Sequence, residues 1–269
     1  MKPLSRPVVK LSVGFLCLLV LMAAATAALG SRLPAGIVAF ARGTENTLYV
    51  TLAALSIAVV LGVSLGALAG LGPALADALL SRAVELCGAL PTVVLLAIVR
   101  ASEPIPAGTG FVLTLGVLRG IEMARLLRGE VLRVSGQDFV VAARALGVGS
   151  VELFFRHLLP HALGPLLVSG AFTAAQVIGL DSALGMLGLG GTTTWGGLVA
   201  AAAVSGRPAA AIAPALGAAL TTAALYVLGD AIDDARSARR RRTWARDDRT
   251  RGLAAEPEII GDATFGGRH

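Results

Sequence analysis

Charge is scarce in this sequence. Only 15% of its 269 residues are Asp, Glu, Lys or Arg, and 55% are hydrophobic, whereas a soluble globular domain carries about 25% charged residues. No charged residue occurs between Glu45 and Asp77, a run longer than the roughly 20 residues that cross a bilayer as a helix. The composition therefore excludes an ordinary soluble domain and predicts an all-α integral membrane protein.

Lysine is nearly absent, and Lys2 and Lys10 are the only two in the chain. A phosphate-binding loop of the form G-x-x-x-x-G-K-[ST] places a lysine against its backbone cradle, and neither lysine stands in such a motif. The sequence also lacks H-E-x-x-H and a convincing G-x-S-x-G elbow. We predict no catalytic residue in this chain, so the energy for any ATP-driven process must come from another subunit.

Cysteine and histidine are equally sparse. Cys17 and Cys87 supply neither a metal cluster nor a disulfide framework, and we predict that both are buried and act as small hydrophobic residues. His157 and His161 stand four residues apart, a spacing that zinc ligands use on a helix. Because no third ligand accompanies them, we interpret them as residues at the membrane interface, and we predict no metal and no cofactor in this chain.

Six apolar stretches are long enough to predict membrane-spanning helices. Pro91 stands in the middle of the third stretch and predicts a kink, because proline removes one helical hydrogen bond. The first stretch also fits a cleavable signal peptide, and we favour a retained helix since the stretch is long enough to span. The six stretches are residues 11–30, 47–70, 83–99, 109–127, 162–180 and 208–229.

The segments around these stretches are polar or rich in glycine. Thr44, Glu45 and Asn46 predict a helix N-terminus before the second stretch. Glycine-rich residues 182–206 predict a loop or short helical pieces, and polar residues 230–269 predict a mostly disordered tail. Lysine and arginine are concentrated on one side of the predicted bundle, so the positive-inside rule places both termini in the cytoplasm.

The fourth stretch contains two charged residues, Arg119 and Glu122. They are three residues apart, so they share one face of a helix and can form an ion pair. A charge pair within a membrane is costly and indicates a functional site. In the alternative interpretation, both lie at the cytoplasmic end of the helix and Arg119 extends its guanidinium to the membrane surface. The sequence leaves both interpretations open.

The segment between the fourth and fifth stretches predicts a short helix, a break and a second helix. Apolar residues recur at helical spacing from Phe139 to Leu146. Gly147 and Gly149 interrupt the pattern, as glycines do where helices end, and Ser150 is a good N-cap for the second helix. A short helix held across the ends of membrane helices can dock into a groove on a partner. The alternative is an ordinary amphipathic loop at the membrane surface.

This loop resembles the EAA loop of ABC importer permeases. The resemblance rests on Ala142-Ala143, Gly147 and Leu159-Pro160, which fall at the family's spacing. Arg144-Ala145-Leu146 and Phe155-Arg156-His157 resemble the dipeptide/oligopeptide/nickel branch of that family. Further similar segments are Ala89-Leu90-Pro91, residues 124–132, and Asp181 to Gly190 with Thr194-Trp195-Gly196, the last of which favours the C-type partner of a two-permease pair.

The resemblance implies a type I ABC importer permease fold with six transmembrane helices and a cytoplasmic coupling helix. It divides the chain into an N-terminal helix with a short external loop (residues 1–42), a core domain (43–235, with the coupling loop at 137–161) and a basic tail (236–269). The residues implied for ATPase coupling are Ala142, Ala143, Arg144, Leu146, Gly147, Val148, Gly149, Ser150, Arg156 and Pro160, and those expected along the translocation pathway are Pro91, Arg119, Glu122 and Asp181.

The resemblance also implies the partners and the location. We expect a second homologous permease subunit, two ATP-binding cassette ATPases that hold ATP and Mg²⁺, an extracytoplasmic solute-binding protein and the inner membrane of a prokaryote. Dipeptides, oligopeptides or a related small solute are the expected cargo. The arginine run at 239–242 indicates a cytoplasmic flank rather than a nucleic-acid site.

Four residues depart from the family pattern, and one of them is Glu122, which stands where a small residue is usual. Val141 stands in place of the glutamate that names the loop, His161 in place of a usual asparagine, and Asp181 in place of the branch's usual glutamate. A second hypothesis, from another class, is a self-sufficient secondary transporter in which Arg119, Glu122 and Asp181 relay an ion. No convincing internal repeat of the kind common in secondary transporters is evident, and such a protein has no need of a docking helix.

Overall fold

The computed structural model describes residues 6–29, 34–102 and 108–254, and every regular element in these ranges is helical. A π-helical turn, Phe154–Leu158, joins α7 to α8 without a break. The helices are α1 (Arg6–Leu29), α2 (Ala35–Leu71), α3 (Ala74–Ala89), α4 (Thr92–Ser102), α5 (Thr109–Ser135), α6 (Asp138–Ala145), α7 (Ser150–Leu153), α8 (Leu159–Met186), α9 (Trp195–Val204) and α10 (Pro208–Ala254).

Three helical segments of the described residues are long and apolar enough to cross a membrane: Ala35–Leu71, Ser150–Met186 and Pro208–Ala238. The pair α3 and α4 counts as a fourth span if the two are taken together, although they are bent by 81° at the break. Helix α5 has the length of a span but carries Arg119, Glu122 and Arg125 in its middle turns. The all-helical membrane fold is confirmed, and the count of six spans stays a prediction.

Helices α2 and α5 pack together through glycines. On α2, glycines recur every four residues, and a Cβ atom on Gly62 would lie 2.8 Å from the Met123 side chain, while one on Gly70 would lie 2.6 Å from Val131. On the facing side of α5, a Cβ atom on Gly116 would lie 2.7 Å from the Ile57 side chain. Small residues let membrane helices approach closely where lipid supplies no hydrophobic drive. The close packing predicted from the small residues of the second stretch is present.

The beginning of the second span differs from the prediction. Helix α2 begins at Ala35, so Thr44, Glu45 and Asn46 lie inside the helix and do not cap it. The Thr44 hydroxyl donates to the Phe40 carbonyl within the helix at 3.0 Å. The predicted boundary after residue 42 also falls inside α2. Thr44 and Asn46 instead form hydrogen bonds with Trp195 and Thr193 of the glycine-rich segment. A sequence pattern does not separate that role from capping.

Pro91 marks a true break and not a kink in one helix. Helix α3 ends at Ala89 and α4 begins at Thr92. Leu90 is extended, with φ −95° and ψ 132°, as expected before proline, whose ring disfavours helical geometry in the preceding residue. Pro91 itself is exposed.

Helix α10 continues well past the apolar stretch, to Ala254. The prediction of a mostly disordered segment is therefore wrong for residues 230–254, and residues 255–269 lie outside the described part. Alanine and arginine, which are frequent here, both favour helix, and Arg236 lies 4.0 Å from Asp233, three residues before it. The prediction weighed polarity and neglected helix propensity.

The two cysteines are less buried than predicted. Cys17 is exposed and Cys87 is half-buried. Cys17 lies on α1 beside other exposed apolar residues, among them Leu18 and Leu21. An outward-facing apolar side chain on a membrane helix needs no burial within the protein, because lipid tails surround it.

Candidate functional site

A short helix, α6, lies at one end of the bundle, here called the loop end. It follows α5 after a single turn, in which the Gln137 amide donates to the Val134 carbonyl at 3.0 Å. It ends in two capping bonds, from Val148 N–H to Ala143 O (3.2 Å) and from Gly147 N–H to Arg144 O (2.9 Å). This pair of bonds, with Gly147 in the left-handed region at φ 88°, is a Schellman motif. The predicted helix followed by a glycine break is confirmed.

One side of α6 is anchored to the bundle. Val140 is fully buried and packs in a cluster with residues from the end of α5 and from the segment that leads into α8. Ala143 and Val148 are half-buried against the same cluster. The remaining members are Leu127, Val131, Val134, Leu153, Phe154, Leu158 and Ala162. The anchor makes α6 a rigid projection of α5 and α8 rather than a loose loop.

The other side of α6 and the turn after it expose large apolar side chains. Leu146 is 86% exposed, Val151 71% and Val141 56%. We call this the exposed apolar face. Large exposed apolar patches mark interaction sites. Of the residues predicted for coupling, those exposed here are Ala142, Arg144, Leu146, Gly147, Gly149, Ser150, Arg156 and Pro160.

Ser150 does not cap α7 as predicted, and the histidine after the leucine-proline pair contacts α6. Ser150 is the first residue of α7 and makes no capping bond; Gly149 holds the cap position, because its carbonyl accepts the first helical bond from Leu153 N–H at 2.9 Å. The Phe139 ring on α6 stacks on His161 of α8, with ring centroids 5.4 Å apart. His161 Nδ1 lies 2.6 Å from the His157 carbonyl, and since a carbonyl only accepts, Nδ1 is the donor.

A cavity of about 820 Å³, here called the groove, lies between α5, α8 and α10. Its wall on α5 is charged, and its wall on α8 carries hydroxyl and amide groups. A second cavity of about 530 Å³ continues it along α5, past Arg119, Arg125 and Gly129. The groove is lined by Glu122, Leu126, Glu130, Arg133, His161, Pro165, Val168, Ser169, Phe172, Thr173, Gln176, Asp233, Arg236 and Ser237.

Arg119 and Glu122 form the predicted ion pair. Arg119 Nη1 donates to Glu122 Oε2 at 2.7 Å, and the two side chains are 13% and 53% exposed. Arg119 is therefore mostly buried, whereas the Glu122 carboxylate is open to the cavity. Both interpretations of the sequence assumed that the two side chains share one environment, and the structure separates them.

Asp181 lies at the other end of the bundle, here called the opposite end, in a second ion pair. Arg100 Nη2 donates to Asp181 Oδ1 at 2.8 Å, and the side chains are 8% and 1% exposed. The Arg100 guanidinium also lies over the Phe111 ring, 4.0 Å from its centroid, a favourable cation–π contact. The sequence analysis did not single out Arg100 and missed this pairing. Arg100 directly follows the apolar stretch 83–99, and this position beside a predicted span could have indicated a partner for its charge.

The glycine-rich segment packs tightly at the same end. Trp195 is fully buried, with its backbone N–H donating to Thr47 Oγ1 at 3.2 Å and its indole Nε1 to Thr44 Oγ1 at 3.3 Å. A Cβ atom on Gly185 would lie 2.7 Å from the Gly196 backbone. The glycines thus permit backbone-to-backbone contact between α8 and the start of α9, where the sequence indicated only a loop or short helices.

The structure does not bring the proposed ion relay together. Arg119 pairs with Glu122 while Asp181 pairs with Arg100, so each charge is matched locally. Pro91, at the α3–α4 bend, does not line the groove. Within the described residues, no group of three or more His, Cys, Asp or Glu side chains is placed to hold a metal ion.

A family model described as the binding-protein-dependent transport system inner membrane component matches residues 58–242, more than half of the chain. The chain belongs to this family. The match covers α5, the α6 loop, the groove-lining part of α8 and the buried Trp195. The family named from the loop in the sequence analysis is confirmed.

Relatives of this inner membrane component agree with the predicted branch. The oligopeptide transport system permease protein OppC of Bacillus subtilis (strain 168) is 30% identical over 55% of this chain and 48% of its own length. The di/tripeptide transport system permease protein DppC of Pseudomonas aeruginosa (strain UCBPP-PA14) is 32% identical over 72% of this chain and 65% of its own length. The chain thus spans about half to two thirds of the length of these curated relatives.

A solved structure shares the fold. It is described as inward-facing conformations of the MetNI methionine ABC transporter, and it matches with a TM-score of 0.58 and 22% identity over 72% of this chain and 94% of that one. This likeness supports the predicted type I ABC importer permease fold.

Proposed function

We propose that this chain is the membrane-spanning permease subunit of an ATP-driven importer and forms one half of its translocation pathway. It performs no catalysis; ATP and Mg²⁺ bind to two partner ATPases. A second homologous permease completes the pathway, and an extracytoplasmic solute-binding protein delivers the solute. The names of the relatives, which are peptide, oligopeptide and di/tripeptide permeases, favour dipeptides or oligopeptides as the solute.

The observation that carries this proposal is the two-sided build of the α6 loop. Val140 and the cluster around it fix one side to the bundle, while Leu146, Val141 and Val151 face outward. An isolated surface loop gains nothing from exposing such residues on a rigid support. A partner with a complementary cleft would bury them, and force on α6 would pass directly to α5 and α8. The apolar contact also compensates for Val141, which replaces the family's glutamate.

The orientation follows from the same proposal. The loop end faces the cytoplasm, where the ATPases are, and both termini lie on that side, in agreement with the distribution of lysine and arginine. A reporter enzyme fused after Gly149 should then give a cytoplasmic signal, and one fused after Gly191 an external signal. A periplasmic signal at Gly149 contradicts the docking function of α6.

The docking experiment replaces Leu146 by aspartate. The Leu146 side chain is 86% exposed and does not belong to the buried core. The variant should therefore insert into the membrane and accumulate normally. Placing a charge in an apolar contact should weaken association with the ATPases by about 30-fold, the effect of losing roughly 2 kcal/mol at an interface hot spot. Co-purification of the ATPases and ATP-driven uptake into proteoliposomes measure it.

The matched control is Val204→Asp. Val204 is 91% exposed but lies at the end of α9, away from the loop end, so ATPase co-purification should be unchanged. Gly147→Leu is a third variant: it places a side chain at a positive φ, which only glycine adopts without cost, and should disturb the loop without disturbing the bundle. Normal ATPase binding in both Leu146→Asp and Gly147→Leu would remove α6 from the docking surface.

A further inference from the structure

The acidic residues of the groove are all matched by arginines on their own helices. Each acid has an arginine three residues away, at a distance that permits an ion pair. The pairs are Arg119–Glu122 at 2.7 Å, Arg133–Glu130 at 2.9 Å and Arg236–Asp233 at 4.0 Å. These six residues together contribute no net charge to the groove.

Arg125 is an arginine of the connected cavity that has no acidic partner of this kind. It lines the cavity that continues the groove, next to Glu122 and Ser169, and it is exposed. Among the residues whose side chains the structure describes, it forms no ion pair or hydrogen bond. Glu122 is already engaged by Arg119 and Glu130 by Arg133. The charge of the two connected cavities, counted over their Arg, Asp and Glu side chains, is therefore four arginines minus three acids, or +1.

The position of Arg125 makes this surplus significant. It lies on α5 near the end of the stretch 109–127 that the sequence predicts to cross the membrane, where it lines the cavity. A charged side chain that lines a cavity in or beside a membrane span indicates a functional site. Opposite Arg125, the wall formed by α8 presents the hydroxyl groups of Ser169 and Thr173 and the amide of Gln176. Such groups form hydrogen bonds with amide and carboxyl groups without adding charge.

We propose that the Arg125 guanidinium binds a carboxylate of the solute as it passes through the groove, so that the pathway accepts solutes with a free carboxylate in preference to their neutral amides. Guanidinium and carboxylate form two parallel charge-assisted hydrogen bonds. The paired charges around Arg125 keep the rest of the groove neutral, which leaves a single point of attachment and allows release. This inference rests on the proposed function and names a chemical feature of its solute.

The experiment reports on the groove without the solute-binding protein, whose own selectivity would obscure the result. Ser169 lines both cavities and is changed to cysteine in a Cys17→Ala, Cys87→Ala background. The complete complex of permeases and ATPases is purified, and the rate of maleimide labelling at position 169 is measured with dialanine or with dialanine amide. Dialanine at twice its dissociation constant should slow labelling about threefold, and the amide should not.

Variants of Arg125 decide the assignment. Arg125→Gln should abolish protection by dialanine, and Arg125→Lys, which keeps the charge, should retain part of it. Arg82→Gln is the control, because Arg82 pairs with Glu85 on an exposed face of α3 away from the groove, and protection should remain complete. Equal protection by the amide, protection that survives Arg125→Gln, or no protection at all would overturn the inference. The last result is expected if an acid of the partner permease neutralises Arg125.

Uptake separates this inference from the proposed function. ATP-driven uptake of dialanine into proteoliposomes with the binding protein present tests the function alone. Uptake without carboxylate-dependent protection leaves the importer intact and removes Arg125 from solute recognition. Carboxylate-dependent protection without uptake supports the Arg125 site and contradicts the proposed peptide import.

Discussion

The two ends of the helix bundle are built in different ways. At the opposite end, Trp195, Asp181 and the Arg100 side chain are buried, and glycine backbones of α8 and α9 touch one another. At the loop end, α6 leaves Leu146 and Val151 open to solvent, and the groove widens between α5, α8 and α10.

The difference shows which contacts serve the single chain and which await a partner. At the opposite end, the Arg100–Asp181 ion pair and the hydrogen bonds of Trp195 to Thr44 and Thr47 join residues of this chain to one another. The exposed apolar face and the unpaired Arg125 of the other half find no partner among the described residues. Substitutions at the opposite end should therefore reduce stability, whereas substitutions at the loop end should affect transport at little cost in stability.

The largest loss of stability is expected for Arg100→Met. It leaves the Asp181 carboxylate buried without its cation, and breaking a buried pair from one side costs about 3–5 kcal/mol. Denaturant unfolding in detergent micelles measures it. The double variant Arg100→Met, Asp181→Leu should recover most of the loss, because no charge then remains buried.

The matched control for this pair lies at the loop end. Arg156 pairs with Glu152 at 3.0 Å on an exposed surface, where ion pairs contribute about 0–1 kcal/mol. Equal destabilisation by Arg156→Met and Arg100→Met would contradict the claim that buried contacts stabilise the opposite end more than exposed contacts stabilise the loop end.

A smaller loss is expected for Gly196→Ala. The new methyl group would lie 2.8 Å from Ser182 Cα and 2.9 Å from Gly185 Cα, and backbone cannot rotate away as a side chain can. Overpacking of this kind costs about 1–3 kcal/mol. Gly179→Ala on α8 is the control, since nothing lies within 4 Å of the added carbon. Thermal unfolding of the two variants should differ clearly, and equal melting temperatures would contradict the close packing.

The smallest effect on stability is expected for Phe139→Ala at the loop end. The lost stack on His161 should cost about 0.5–1.5 kcal/mol beyond the loss of buried apolar area, and Phe139 is already 40% exposed. Because Phe139 connects α6 to the groove-lining His161, the variant should hydrolyse ATP while importing less solute per ATP. Phe155→Ala, on an exposed ring that packs on Phe154, should leave that ratio unchanged. An unchanged ratio in Phe139→Ala would show that force passes only through the Val140 cluster.

The loop end was the more predictable half. Helical spacing, two glycines and a leucine-proline pair specified α6, its Schellman end and the re-entry into α8, because these features depend on residues close in sequence. The Arg100–Asp181 pair and the docking of Trp195 on Thr44 and Thr47 join residues 81 to 151 positions apart. Such contacts leave no local pattern, so the glycine-rich segment was predicted only as a loop or short helical pieces.

The glycine stripe between α2 and α5 has a mechanical consequence. At Gly62, Gly70 and Gly116 the side chains of one helix pack directly against the backbone of the other. The two helices therefore cannot slide past one another without separating, and they behave as one stiff unit. Helix α5, with 27 residues, is about 40 Å long at 1.5 Å per residue. If α6 docks as proposed, a push at this end is carried along α5 toward the far side of the membrane. The contacts that yield would then be those around the groove between α5, α8 and α10, where the solute would pass.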